Sequence, residues 1–266
     1  MQKLFKIGII ASLALFTLGV GFVIAAVALG ATWAQFTDAM DTGEFSLDYR
    51  MNPKSDSQDT NQIYYTDVDS LDIQFGAGAL DLVETDDDRI LVEFLSDSRF
   101  VQTNVDDDTL EISTVSDVTK RKKISLRIHI PKDKYFDQVN LKLGASAVTM
   151  ESLNTDNLEL ELGAGTFTGT GKIVAEKSQW QVGMGELTLN YLDCEDLDMD
   201  CGMGSMSVTM AHLQEDYDCD VTCQAGAVTV GDSNFSMGSH HLKGDDADRE
   251  VKIQCGMGSV ALAFDD

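Results

Sequence analysis

Apolar and polar residues alternate along most of the chain, and a three-residue slot interrupts the alternation at seven places, as Gly-x-Gly in five copies, Gly-Ala-Ser in the second and Gln-Ala-Gly in the sixth. The clearest copies lie between residues 158 and 210 and read LELELGAGTFTGT, QWQVGMGELTLNY and LDMDCGMGSMSVTM. In most copies, apolar residues stand one, three and five positions before the first slot residue, and four and six positions after it. A period of two is typical of a strand with one buried face, so each copy predicts two strands.

The buried face changes phase at the slot, because odd positions are apolar before it and even positions after it. Glycine adopts a positive φ at little cost, so we predict that the slots are the corners of a coiled chain. The residue between the two slot positions is Ala or Met in every copy, which predicts an inward side chain at each corner. The predicted corner glycines are Gly76, Gly78, Gly163, Gly165, Gly183, Gly185, Gly202, Gly204, Gly256 and Gly258.

The slots recur every 19 to 22 residues from Gly144 through Gly163, Gly183 and Gly202 to Gln224. A fixed interval of about 20 residues is typical of a solenoid. Each slot also fits the loop of an antiparallel hairpin, but the apolar middle residue and the lack of Asn-Gly or Asp-Gly tips argue against a meander. The sequence therefore predicts an all-β fold, a parallel β-solenoid or β-helix, with right-handed crossovers.

The N-terminal segment predicts one transmembrane helix. Residues 7–31 are uncharged and mostly apolar, and about 20 such residues cross a bilayer. Lys3 and Lys6 precede this span and acidic residues follow it, which predicts a cytoplasmic tail at 1–6 and an extracellular C-terminal domain on a single-pass cell-membrane protein. Cleavage as a signal peptide near residues 28–31 is the alternative.

The remaining chain divides by pattern into a juxtamembrane linker at 32–62 and a β-solenoid ectodomain at 63–266. Residues 85–131 form a less regular β region without the slot. This region is either an inserted sheet or a set of irregular coils at one end of the solenoid.

The formal net charge of −26 excludes nucleic acid as a partner, because phosphate binding requires the opposite sign. One basic cluster stands out in this acidic chain, and we consider it a candidate patch for anionic polymers or lipid headgroups. A solvated strand and loop is the alternative reading of the same residues. The cluster consists of Lys120, Arg121, Lys122, Lys123 and Arg127.

The sequence contains no catalytic constellation, no cofactor motif and no metal-ligand spacing. Its acids are spread evenly, whereas a glycan-active β-helix enzyme needs clustered carboxylates. Asp196, Asp198 and Asp200 alternate with apolar residues as an outward strand face does, so at most weak divalent-cation binding is expected there.

The five cysteines predict small buried core residues, because Cys201, Cys223 and Cys255 all stand directly before a slot. A disulfide between stacked coils is the alternative.

A column of hydroxyl residues is predicted five positions after the first slot residue. Stacked hydroxyls at strand spacing form a flat, regular face that can bind ordered surfaces or glycans, although Thr is also a good strand residue. The column consists of Thr149, Thr168, Thr188, Ser207 and Thr229.

The N-terminal span, the phrase ISLRIHIPKDKYFDQVNLKLGASAVTMESL and the LELELGAGTFTGT-type coils together resemble the bacterial putative-adhesin family of cell-surface β-strand-repeat proteins. The resemblance covers residues 63–264. It implies a right-handed β-solenoid that is exposed on the cell surface, and it carries over no catalytic residues. We therefore expect a membrane-anchored surface interaction module that binds a cell-wall polymer, a glycan or an envelope protein; an envelope-stress sensor or scaffold is the alternative.

Overall fold

A computed structural model describes residues 61–114, 124–245 and 247–265 of the chain. The predicted transmembrane span, the cytoplasmic tail and nearly all of the linker lie outside these ranges. Within these ranges, helix is limited to two single 3₁₀ turns at Ser98–Phe100 and Gln214–Asp216. In the described part of the chain, no helix has the length and apolar character that crossing a membrane requires.

Almost every other described residue belongs to a strand or to the short turn between two strands. In chain order the strands are β1 (Gln62–Tyr65), β2 (Ser70–Thr85), β3 (Ile90–Phe94), β4 (Val101–Asp106), β5 (Thr109–Thr114), β6 (Ile124–Pro131), β7 (Tyr135–Met150), β8 (Leu153–Leu162), β9 (Thr166–Gly169), β10 (Ile173–Val182), β11 (Glu186–Cys201), β12 (Ser205–Met210), β13 (Tyr217–Cys223), β14 (Ala227–Val230), β15 (Ser233–Phe235), β16 (Gly238–Leu242), β17 (Arg249–Cys255) and β18 (Ser259–Phe264).

Equivalent positions of successive repeats lie side by side in parallel strands. Ser178 of β10 pairs with Leu158 of β8, one repeat earlier, and with Leu197 of β11, one repeat later. The strand segments before the slots form a first face of the stack, and those after the slots form a second face. This in-register parallel stacking confirms the all-β solenoid and excludes an antiparallel meander for the repeated coils.

The order of the coils in the stack differs from their order in the chain. β17 pairs with β11 on one side and with β13 on the other, and β18 likewise lies between β12 and β14. The last coil is therefore inserted between the two coils that precede it in sequence. The segment from 232 to 248 makes this return possible.

Antiparallel strands cover both ends of the stack. At one end β5 and β6 form a coil beside β2, and β4 and β3 cover these two strands. At the other end β15 covers β14, and β16 covers β13. The outermost parallel strands thus have a hydrogen-bonding partner on each side, and the free edges belong to the short covering strands, which offer little length for edge-to-edge aggregation.

The core is a set of columns that run through the stack, one residue per coil. Leu160, Trp180 and Met199 form one such column and are at most 1% exposed. Burying one large apolar side chain contributes about 1.5–3 kcal/mol, and the ladder repeats this contribution in every coil. The alternation in the sequence arises from this repeated burial.

The corners correct two sequence-based expectations. The residue between the slot positions points outward, since Met203 and Met257 are 48% and 59% exposed. Of the corner glycines, all of which lie in the described ranges, Gly78 alone has a positive φ, of 142°. Two consecutive outward residues, the first glycine and the middle residue, therefore produce the phase change of the buried face.

The second slot position faces the core at close range, so it is occupied by a small residue, glycine in six copies and Ser146 in the other. A Cβ on Gly204 would lie 2.3 Å from the Gly185 carbonyl oxygen and 2.8 Å from a Val182 methyl carbon. A Cβ on the first glycine of that slot, Gly202, would lie 3.0 Å from its nearest neighbour. At Gly204, close approach between coils, and not a positive φ, explains the glycine.

Candidate functional site

The predicted hydroxyl column forms a row on the second face that one alanine interrupts. Thr149, Thr168, Thr188 and Ser207 are in register on successive strands. Ala261 of the inserted coil then separates Ser207 from Thr229. The structure thus brings all five predicted residues together and adds one alanine that sequence order did not place there.

The columns beside this row are also rich in hydroxyl groups. Neighbouring rungs lie about 4.8 Å apart, and outward residues on one strand recur every ~6.6 Å, so the hydroxyls form a regular lattice. On the three central rungs, those of β9, β11 and β12, Glu186 is the charged outward residue within these columns. We define the hydroxyl face as Thr166, Thr168, Thr188, Ser205, Ser207 and Thr209.

Hydrogen bonding leaves the middle of the hydroxyl row available. Thr149 Oγ1 donates to Asp81 Oδ1 at 2.7 Å, and Thr229 Oγ1 donates to Asn234 Oδ1 at 2.9 Å. No side-chain hydrogen bond to another described residue engages the hydroxyls of the hydroxyl face. Each of these groups can donate one hydrogen bond and accept two, so the face offers both roles to a ligand.

The first face has a different chemistry, because its outward columns carry most of the acids of the repeats. Lys177 lies 3.7 Å from Asp196 and Lys252 lies 3.0 Å from Glu250, so the few basic side chains there are paired. A shallow depression of 280 Å³ lies between these groups. Within the described ranges, no cluster of three or more His, Cys, Asp or Glu side chains has the arrangement of a metal site.

The predicted basic patch lies partly outside the described ranges, which do not include Lys120, Arg121, Lys122 or Lys123. The structure places Arg127 on β6, where its guanidinium lies 3.2 Å from Asp81 and 3.9 Å from Glu93. Two carboxylates thus compensate the charge of this arginine.

All five cysteines are buried as free thiols. Cys201, Cys255 and Cys223 form one column in that order. Burial raises the pKa of the Cys194 and Cys255 thiols to about 11 and that of Cys219 to about 12. Because the thiolate is the reactive form, these groups behave as core residues at neutral pH.

One surface feature was missed by the sequence analysis. The outward middle residues of the slots form a row along the corner, and the structure places Met184, Met203 and Met257 next to one another in it. Their invariable apolar character is the available signal in the sequence, but an apolar residue next to a strand ordinarily predicts burial.

A family model described as Toastrack DUF4097 matches residues 68–266. No curated protein matches the chain. Among solved structures, the chain is similar to a "putative cell adhesion protein" from Clostridium sporogenes, with 14% identity, a TM-score of 0.42 and coverage of 77% of this chain and 99% of that chain.

It is also similar to a "putative adhesin" from Bacteroides fragilis, with 14% identity, a TM-score of 0.33 and coverage of 76% and 95%. A third structure, a "putative lipid binding protein" from Parabacteroides distasonis, has 12% identity, a TM-score of 0.29 and coverage of 78% and 98%. The family match spans most of the chain and includes every Gly-x-Gly coil. The chain therefore belongs to the Toastrack DUF4097 family.

Proposed function

We propose that the protein is a membrane-anchored extracellular module that binds an ordered glycan or wall polymer through its hydroxyl face. The observation that carries the proposal is the row of in-register hydroxyls on three adjacent rungs, none of which is engaged by another described side chain. Residues 7–31 are the proposed anchor, and right-handed winding is the proposed hand of the coils.

A repeating ligand suits this face for an energetic reason. The hydroxyls stand on strands whose backbone is fixed by parallel partners on both sides, so little conformational entropy is lost on binding. A polymer in an ordered array presents its own hydroxyls at fixed intervals and can meet several rungs at once. Several weak hydrogen bonds then act together, as in multivalent binding.

The proposed module is not an enzyme. Most acidic side chains in the repeats stand outward on the first face, and one acid, Glu186, lies within the hydroxyl face between Thr166 and Ser205. General acid–base cleavage of a glycosidic bond needs two carboxyl groups about 5–9.5 Å apart on either side of the bond. Binding without turnover is the activity that the hydroxyl face supports.

The test is co-sedimentation of the full chain, purified in detergent, with insoluble peptidoglycan, chitin and cellulose. The double variant Thr168→Lys/Thr188→Lys places two long charged side chains on the hydroxyl face. The matched control, Gln179→Lys/Gln181→Lys, adds the same charges on the first face of a neighbouring strand. We expect the first variant to lose at least about tenfold in affinity, or ~1.4 kcal/mol, and the control to bind like the wild type.

Equal binding by both variants, with melting temperatures near that of the wild type, would contradict the proposal. Failure of the wild-type chain to sediment with any of the three polysaccharides would also contradict it.

A further inference from the structure

The outward row at the corner changes composition along the stack. Met184, Met203 and Met257 occupy three consecutive rungs, whereas Ala164 and Ala225 lie on the rungs to either side. Hydrogen bonds of 2.7 Å from the Met184, Met203 and Met257 amides to the Gly163, Gly183 and Gly202 carbonyls fix this order. The row therefore contains one block of three thioether side chains.

These methionines do not serve the core. Met203 and Met257 are 48% and 59% exposed, and Met184 is half-buried. An exposed methionine gains little free energy from burial, and the alanines at the same position show that the corner forms without it. The three sulfur atoms need another explanation.

The backbone geometry allows the three sulfurs to converge. Adjacent rungs are about 4.8 Å apart, and methionine has three rotatable bonds beyond its rigid backbone attachment. The side chains of Met184 and Met257 can thus reach toward Met203 from either side. The rungs themselves stay fixed because each corner amide is hydrogen-bonded to the next coil.

The chemistry of the donors selects the ligand. A thioether is neutral and soft, and soft sulfur ligands favour Cu⁺ over Mg²⁺ or Ca²⁺, which prefer carboxylate and carbonyl oxygens. We propose that Met184, Met203 and Met257 form a surface site for a soft monovalent cation, Cu⁺ or its analogue Ag⁺.

The local charge favours a cation at this site. The protein as a whole has a net charge of −26, which attracts cations. The outward positions that flank the three rungs include two acids and no Lys or Arg. They are Gln181, Asp200 and Gln254 before the slots, and Glu186, Ser205 and Ser259 after them.

The neighbouring thiols are a second possible set of soft ligands, and the experiment must separate the two. The Cys201 sulfur lies under the corner, 2.7 Å from where a Cβ on Gly258 would be. A thiol binds metal as a thiolate and releases a proton, so its apparent affinity rises about tenfold per pH unit below its pKa. A thioether releases no proton when it binds a metal ion, so its affinity for the ion should not change between pH 6 and pH 8.

The test uses the full chain in detergent, labelled with ¹³C at the methionine ε-methyl groups and titrated with AgNO₃ in chloride-free buffer at pH 6, 7 and 8. Single Met→Leu variants assign the methyl signals. We expect the signals of Met184, Met203 and Met257 to shift together up to one equivalent of Ag⁺, with the same affinity within about twofold at each pH. The signal of Met237, which is 77% exposed and lies outside the row, should not move.

The triple variant M184L/M203L/M257L keeps the apolar volume and removes the sulfurs, and M237L is its matched control. We expect the triple variant to lose the first equivalent of bound Ag⁺ and the control to keep it. Retained binding in the triple variant, or an affinity that rises about tenfold per pH unit, would assign the metal to thiols and overturn the proposal. Simultaneous shifts of Met237 and the row would show non-specific binding and overturn it as well.

Discussion

Cys201 and Cys255 occupy the same rung position on directly paired parallel strands, although the whole coil that contains Cys223 lies between them in the chain. Cys223, which precedes Cys255 in sequence, lies on the far side of it. The last coil thus joins two parts of the stack that do not touch each other there. A substitution that destabilises this coil should therefore also destabilise β13, which precedes it in sequence and pairs with it.

We predict that Ile253→Asp disrupts β13 as well as β17. Ile253 is 1% exposed, and an unpaired buried charge destabilises a fold by about 3 kcal/mol or more. Hydrogen–deuterium exchange should show faster exchange for the amides of Tyr217–Cys223, while those of Leu153–Leu162 stay protected. The control is Gln254→Asp, on the exposed side of the same strand, which should leave exchange unchanged. Retained protection of β13 in the Ile253 variant would contradict the inserted position of the coil.

The two glycines of one slot should respond differently to alanine. Gly204→Ala places a Cβ 2.3 Å from a carbonyl oxygen and should cost about 1–3 kcal/mol of unfolding free energy. Gly202→Ala meets its nearest atom at 3.0 Å and should cost less than about 1 kcal/mol. Urea denaturation of the two variants measures the difference. Equal losses would show that close contact at the second position is not what requires glycine.

The buried thiols should make the protein sensitive to alkali. Burial raises the pKa of Cys194 and Cys255 from 9.0 to about 11 and that of Cys219 to about 12. Because the folded state holds these protons more tightly than the unfolded state, stability is retained below pH ~9 and lost as the pH rises toward 11–12. Thermal unfolding midpoints measured between pH 7 and pH 11 test this prediction, and they should fall as the pH rises above ~9.

Thiol labelling provides the second measurement for the same groups. At pH 8 the native protein should react with a disulfide reagent on the order of 100-fold more slowly than the denatured protein, in which all five cysteines should react. Fast native labelling at pH 8 would show that the cysteine column is accessible.

The ion pair of Arg249 and Asp193 should contribute more to stability than the shorter but exposed ion pair of Arg99 and Asp97. Its side chain is 18% exposed, and Nη1 lies 3.2 Å from Asp193 Oδ1 and donates to the Cys194 carbonyl at 3.0 Å. Arg249→Ala should cost about 2 kcal/mol, because it removes charged hydrogen bonds from a largely buried group.

Arg99 is the matched control. It lies 2.7 Å from Asp97 but its side chain is 79% exposed, so Arg99→Ala should change stability by less than about 0.5 kcal/mol. A larger loss at Arg99 than at Arg249 would show that distance, and not burial, decides the strength of these pairs.

The repeating part of the fold was predictable because each coil repeats the same burial pattern. Leu158, Ser178 and Leu197 could be aligned from the spacing of the slots alone, and the structure pairs them. Thr168 and Thr188 could be placed on one outward column by the same reasoning.

The position of β17 between β11 and β13 was not predictable. All coils share one pattern of apolar and polar residues, so the pattern allows a strand to pair with any other coil. Cys201, Cys223 and Cys255 all satisfy the same position, and nothing in their spacing states which two are adjacent. Met203 was placed on the wrong side of the backbone for a related reason. An apolar residue usually indicates burial, and the pattern of two consecutive outward positions at a slot has no separate signal in a single sequence.

The covering strands at the two ends come from segments that are not part of the repeats. β3 and β4 arise between the first two slots, and β15 and β16 arise before the last one. A repeat added or removed between β7 and β12 would therefore leave both end covers intact. The number of coils and the strands that cover the ends are therefore independent of each other, so the hydroxyl face can gain or lose rungs while the same strands cover both ends.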